Sequence, residues 1–231
     1  MSKLGKTIVL EGVDGAGKAT QYQKLWNRLS SEHPNLHKLG ASFPNYDAPQ
    51  STIVKMYLGN NISGGLDSIS AYQASPFYTV DRFITYRNDL KQHHEEGSLL
   101  LLDRWTTSNI IYQAAKIDNI EAQKQFIDWL ENFEYEIYKL PKPSAVFLLY
   151  LPPEIQQSSL KSRTEKKGNI SVDIHEADLK YQIKTAETAL FCAEYLGWNI
   201  INRLDNNGSE KTIDQIHEEI YEKTKLVLEL K

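Results

Sequence analysis

The ten residues Glu11-Gly12-Val13-Asp14-Gly15-Ala16-Gly17-Lys18-Ala19-Thr20 have the types and spacing needed to hold a polyphosphate. Gly12, Gly15 and Gly17 allow the backbone to curl until successive N–H groups converge on phosphate oxygens. Lys18 adds a point charge for the outer phosphates. A helix opening here would contribute the partial positive charge of its N-terminus. The flanking residues fit that geometry. Thr7-Ile8-Val9-Leu10 is apolar and β-branched, which predicts a buried strand, while Tyr22, Leu25, Trp26 and Leu29 share one face of a helix. Strand, glycine-rich loop, lysine and helix together identify a phosphate-binding loop, Gly12 to Thr20. The hydroxyl that normally follows the lysine and touches Mg²⁺ is absent, because Ala19 stands there. Thr20 is one residue further on, a turn of about 100° around the helix axis. Mg²⁺ is then held mainly by nucleotide phosphates, water and an acidic side chain.

That acid is expected in Ser98-Leu99-Leu100-Leu101-Leu102-Asp103-Arg104-Trp105, an apolar run with a polar tip. In open parallel sheets, ligands bind beyond the carboxyl ends of the strands. Asp103 is so placed to hold Mg²⁺ or one of its waters. Arg104, permanently charged and fork-shaped, suits a substrate phosphate.

Elements must position these groups. Further short apolar runs, Ala145 to Leu151 and Trp198 to Ile201, predict two more strands, and Lys38 to Phe43 is a weaker fifth. Helical spacing links Phe126, Ile127, Leu130, Phe133 and Ile137, and again Ile213, Ile216, Ile220 and Val227. Strands alternating with helices imply right-handed crossovers and a parallel sheet covered on both faces. The 231 residues suit one domain, 1–231, with a mobile piece at Ser162 to Val172, rich in Lys, Gly, Ser and Asn. With 26 Lys and Arg against 30 Asp and Glu, the net charge of −4 disfavours a polynucleotide partner. The one cysteine, Cys192, lies in an apolar run and reads as a core residue. No disulfide, no signal-type stretch and no apolar segment of about 20 residues point to a cytoplasmic protein away from membranes. His93-His94 reads as a solvated helix face, and no metal site is expected there, since two adjacent residues do not share a face of a helix.

Glu11 to Gln21, Phe43-Pro44, Phe77-Tyr78-Thr79-Val80-Asp81-Arg82, Asp103-Arg104-Trp105-Thr106-Thr107-Ser108-Asn109 and Leu140-Pro141-Lys142-Pro143 resemble the thymidylate kinases, over nearly the whole chain. The resemblance implies a P-loop nucleoside monophosphate kinase. It would carry the γ-phosphate of ATP to dTMP with Mg²⁺, on a five-stranded parallel sheet flanked by helices on both faces, as a homodimer. It implies that Asp14 contacts the deoxyribose 3′-hydroxyl and that Phe43 and Pro44 shape the thymidine pocket. Tyr78 would stack on thymine and Arg82 would hydrogen-bond it. Arg104 would hold the dTMP phosphate, Ser108 would be a further dTMP-binding residue, Asn109 would read the base edge, and Tyr112 would pack beneath the sugar.

The family closes a short lid over ATP, here about residues 161–176. Some relatives carry a catalytic Arg in the phosphate loop, where this chain has Gly15. The compensating charge is expected from Arg163, Lys166 and Lys167. An Arg common in such lids is Ile174 here. An Arg that often follows Phe-Pro is replaced by Asn45 and Tyr46, which leaves Arg104, Mg²⁺ and Lys55 for the acceptor phosphate. Two alternatives stay open on the residues: a kinase of another deoxynucleotide or deoxynucleoside, and a nucleotide-binding module of low activity, which Ala19 keeps in view.

Overall fold

The computed structural model describes residues 4–65, 68–152, 155 and 172–230, with side chains in the last stretch from Lys180 onward. Five strands form one parallel sheet. They are β1 (Thr7–Glu11), β2 (Lys38–Ser42), β3 (Leu99–Asp103), β4 (Ala145–Tyr150) and β5 (Asn199–Asn202), in the order β2-β3-β1-β4-β5. Every residue of β1 is buried, as a central strand covered on both faces must be. Alternation then divides the core. Ile8 and Leu10 face α1 (Lys18–Glu32) and the C-terminal helix Ile213–Leu228, together with Leu25, Leu29, Ile216 and Ile220. Val9, Leu100 and Leu102 point to the other face, where Phe43, Tyr86 and Trp105 gather.

On that second face lie α2 (Thr52–Leu58), α3 (Ala71–Thr85), α4 (Lys91–Glu95), α5 (Thr106–Ala114), α6 (Ile120–Glu131) and α7 (Val172–Leu196); the C-terminal helix is α8. Capping boxes start α3 at Ser70 with Gln73, and α8 at Thr212 with Gln215. The register sets Leu10 beside Asp103 and Ser42 beside Asp103, so the carboxyl ends of β1, β2 and β3 meet at one edge.

Three sequence expectations are corrected here. His94 is not solvated: it is 1% exposed, and its ring nitrogens lie 2.7 Å from Gly5 O and 3.2 Å from Tyr86 Oη. A π-helical turn, Tyr86–Leu90, precedes α4 and alters the phase with which α4 meets the sheet. Ile137 is 67% exposed, although it continues the apolar spacing of α6. It ends a second π-helical segment, Asn132–Ile137, whose slower advance per residue carries it off the buried face. Ile213 is also exposed. It stands at the first position of α8, where its carbonyl meets α1 through Gln21 Nε2 at 2.9 Å. Cys192 is wholly buried, and burial pushes its thiol up to about 12, so it has no nucleophilic character. No helix among the described residues is long and apolar enough to cross a membrane.

Candidate active site

The loop between β1 and α1 coils as its glycines allow. Gly12 has φ +151°, and a Cβ there would lie 2.8 Å from Leu149 O, so no side chain fits. Gly17, at φ +92°, caps α1, whose first turn then presents its unpaired N–H groups to the hollow. Lys18 is 8% exposed and its Nζ donates to Gly12 O at 2.6 Å and Val13 O at 3.0 Å. Burial lowers its pKa first and Arg104 next, while Glu11, Asp14 and Asp103 oppose the shift.

Beneath the loop, Glu11 is completely buried and fully engaged. Its Oε1 accepts from Gly12 N at 2.9 Å, and its Oε2 accepts from Thr107 Oγ1 and Ser108 Oγ, both at 2.7 Å. This carboxylate ties the loop to the start of α5. It also faces Arg104, whose Nη1 lies 3.9 Å away.

Arg104 follows β3 in a left-handed conformation, φ +67°, unusual for a residue with a Cβ and costing about 1 kcal/mol or more. Its amide donates to Leu10 O at 3.1 Å, which holds that turn against the end of β1. The guanidinium reaches across to Asp14 Oδ1 at 2.5 Å and to Ser108 Oγ and Tyr112 Oη at 3.3 Å. Burial alone would lower its pKa, but Glu11, Tyr112 and Asp14 outweigh burial and raise it. Asp103, at the same strand end, has its pKa raised by burial, with Lys18 and Arg104 opposing. Its Oδ1 is buried without a partner among the described residues. An orphaned carboxylate oxygen beside the phosphate loop is suited to a hydrated cation. Among the described residues no group of three His, Cys, Asp or Glu is placed to cage a metal.

Beside the loop opens a cavity of about 410 Å³. Asp14, Phe43, Pro44, Tyr78, Arg82, Arg104, Ser108, Asn109 and Tyr112 all line it. Phe43 packs edge-on against Trp105 at 4.8 Å, and Trp105 Nε1 donates to Pro141 O at 3.1 Å. The Phe43–Pro44 peptide is cis. The following turn is held by Asp81, which accepts from Asn45 N at 3.1 Å and from the Ser51 hydroxyl. Burial raises the pKa of Tyr78, and it raises that of Tyr112 to about 12, so both phenols stay neutral at physiological pH.

Several residues of the site were not anticipated. Ser42, Tyr46, Leu58, Trp105 and Gln113 also line the cavity. Arg203 Nη1 donates to Gly15 O at 3.3 Å from the loop after β5. Glu134, in the π segment after α6, receives Arg82 Nε at 2.9 Å, Thr106 Oγ1 at 2.6 Å and Asn109 Nδ2 at 3.1 Å. An acid in an otherwise apolar helical stripe, four residues after Leu130, was the available signal. The lid residues Arg163, Lys166 and Lys167 lie outside the described residues, as does the mobile piece expected at Ser162 to Val172 except for its last residue. Of the 161–176 span, only the helical backbone from Val172 is described.

A parallel α/β sheet with a phosphate loop after its central strand, and an acid–arginine pair at the next strand end, defines a P-loop phosphotransferase. Comparison with known proteins names the branch. The family model for thymidylate kinase matches residues 10–220. A thymidylate kinase of Dictyostelium discoideum is 29% identical over 224 residues, 95% of this chain and 85% of that one. One from Mycobacterium tuberculosis is 27% identical over 183 residues, 77% of this chain and 81% of that one. Among solved structures, a thymidylate kinase from Candida albicans superposes with a TM-score of 0.65 at 23% identity, covering 98% of this chain and 93% of the other. The chain belongs to the thymidylate kinase family, which are ATP-dependent nucleoside monophosphate kinases.

Proposed function

We propose that this chain transfers the γ-phosphoryl group of ATP to dTMP, giving dTDP for dTTP synthesis. The observation that carries the reading is the cavity beside the phosphate loop, in which nine side chains suited to a thymidine monophosphate come together from five separate segments. Lys18, caged by two loop carbonyls, holds the outer phosphates of ATP. Arg104 is tethered by Asp14 and Ser108 at the mouth between loop and cavity, and it holds the acceptor phosphate in line. Positioning and charge stabilisation do the work, with no covalent intermediate on the protein. Tyr78 offers a flat neutral face to the base, Arg82 and Asn109 offer its edge polar partners, and Tyr112 lies beneath the sugar. Asp103 would hold Mg²⁺ through a water, and the ion, when bound, neutralises charge on the phosphates. Arg163, Lys166 and Lys167 supply positive charge from the lid.

We also infer a homodimer. Ile53 and Met56 on α2, and Tyr72 on α3, leave apolar surface exposed of the kind that helix packing between two copies buries. The lone buried cysteine suits the reducing cytoplasm.

An acceptor panel tests the reading. With ATP and Mg²⁺, dTMP should be converted to dTDP in preference to dCMP, dGMP and thymidine. Arg104→Ala should depress kcat/KM for dTMP by about 10²-fold or more, through loss of charge-assisted bonds to a phosphate. ADP release that is independent of dTMP, or faster with thymidine, would reject it.

A further inference from the structure

We propose that Glu134 is a positioning residue that fixes the hydrogen-bond polarity of the base pocket, so that the pocket accepts a pyrimidine with an N3–H and refuses cytosine. The proposal rests on the thymidylate reading above. Glu134 is wholly buried and does not line the cavity, so it acts only through its partners.

Those partners are Arg82 and Asn109, which do line the cavity. Asn109 Nδ2 donates to Glu134 Oε1 at 3.1 Å and to Ser75 O at 3.2 Å. A primary amide has two N–H donors, and both are thereby committed to acceptors. Turning the amide over would set its oxygen against those two acceptors, so its orientation is determined. What remains is Asn109 Oδ1, buried and without a partner among the described residues. A buried carbonyl oxygen without a donor is costly, and a ligand N–H relieves that cost. Arg82 is held in the same way. Its Nε donates to Glu134 Oε2 at 2.9 Å and its Nη2 pairs with Glu134 Oε1. The guanidinium has no acceptor to offer, so its remaining N–H groups can present only donors.

Arg82 and Asn109 line the cavity, and the carboxylate leaves uncommitted only an acceptor on Asn109 and donors on Arg82. Thymine and uracil present N3–H beside O4, which is the complementary pattern. Cytosine presents a bare N3 beside an amino group, and so opposes acceptor with acceptor and donor with donor. Replacing the carboxylate with an amide, as in Glu134→Gln, changes this. Both carboxylate oxygens accept from Arg82, so turning one into an NH₂ sets a donor against the guanidinium and disturbs the network that holds Asn109. Arg82 and Asn109 would then no longer be held in the polarity that favours an N3–H, and the discrimination against cytosine would weaken.

The test is the acceptor selectivity of Glu134→Gln in the full-length enzyme. Wild type should discriminate strongly between dTMP and dCMP by kcat/KM, and should use N3-methyl-dTMP poorly. In Glu134→Gln that dTMP:dCMP ratio should fall by about 10- to 100-fold, mostly through KM. KM for ATP and the dTMP:dUMP ratio should not move, because neither involves the N3 edge; general damage to the pocket would shift both. Glu134→Asp keeps the charge opposite Arg82 but falls short of Asn109. It should show a smaller loss of the same kind, and it carries the test if Glu134→Gln does not fold. A dTMP:dCMP ratio unchanged in the folded variant, or full activity of wild type on N3-methyl-dTMP, overturns the proposal. Failure of the thymidylate reading would look different: wild type itself would not favour dTMP.

Discussion

Lys18 shows how the loop prepares a charge before any substrate arrives. Two of the ammonium's three donors rest on Gly12 O and Val13 O, which hold the charge at the loop. Lys18→Met should cut kcat by about 10²- to 10³-fold while leaving the thermal midpoint close to wild type, as steady-state kinetics and a melt would show. Glu11 belongs beside it. The residue types at the loop were legible because they are consecutive, but the carboxylate's role was not. Its three donors come from its neighbour Gly12 and from Thr107 and Ser108, almost a hundred positions later. Arg104 is similar: its charge and strand-end position were readable, whereas its reach to Asp14 depends on a left-handed turn and on β1 lying next to β3.

At the scale of elements, β1, β3 and β4 fall where apolar runs predict them, because central parallel strands are buried on both faces, while the edge strands β2 and β5 are only partly buried and β2 carries the weakest apolar signal. Helix faces were read less well where the pitch changes. The 3.6-residue period holds for Phe126, Ile127 and Leu130, all fully buried, and fails at Ile137 after the π segment. Glu134 stays on the inner face in the same segment, so the irregular pitch exchanges an apolar contact for an acid in the core. The two positions should respond very differently. Phe126→Ala should cost about 3–5 kcal/mol of unfolding free energy through the cavity it leaves. Ile137→Ser should lie within about 0.5 kcal/mol of wild type. Urea denaturation of both variants measures this directly, and equal costs would mean that Ile137 packs in solution.

Across the whole molecule, buried histidines couple stability to pH. His217 is 6% exposed between α8 and α1; burial lowers its pKa first, then Arg28 and Lys24, against Glu218 and Asp214. His94 is lowered too, by burial above all. A histidine whose folded pKa is depressed is neutral in the fold and takes a proton more readily once unfolded. Its contribution is intact above the ordinary value of about 6.5 and is lost as pH falls from there toward the lowered folded value. The thermal midpoint should therefore drop between about pH 7.5 and about pH 5.5, and His217→Gln should flatten that drop. A variant with an unaltered slope would exclude His217 as a contributor.

The amino-acid sequence alone determined the phosphate loop, the order of strands and helices and the family, because each depends on residues close together in the chain: glycine spacing, apolar runs, a lysine at a helix start. It also contained the nine residues that come to line the cavity, though only as a resemblance and not as a volume. Tertiary structure decided which atoms those residues can still offer. Asn109 is an acceptor, Arg82 a donor and Asp103 an unpaired oxygen because partners far apart in sequence have already used the alternatives. Side-chain chemistry is written residue by residue, but the polarity of a buried site is what remains after the fold has satisfied its own hydrogen bonds.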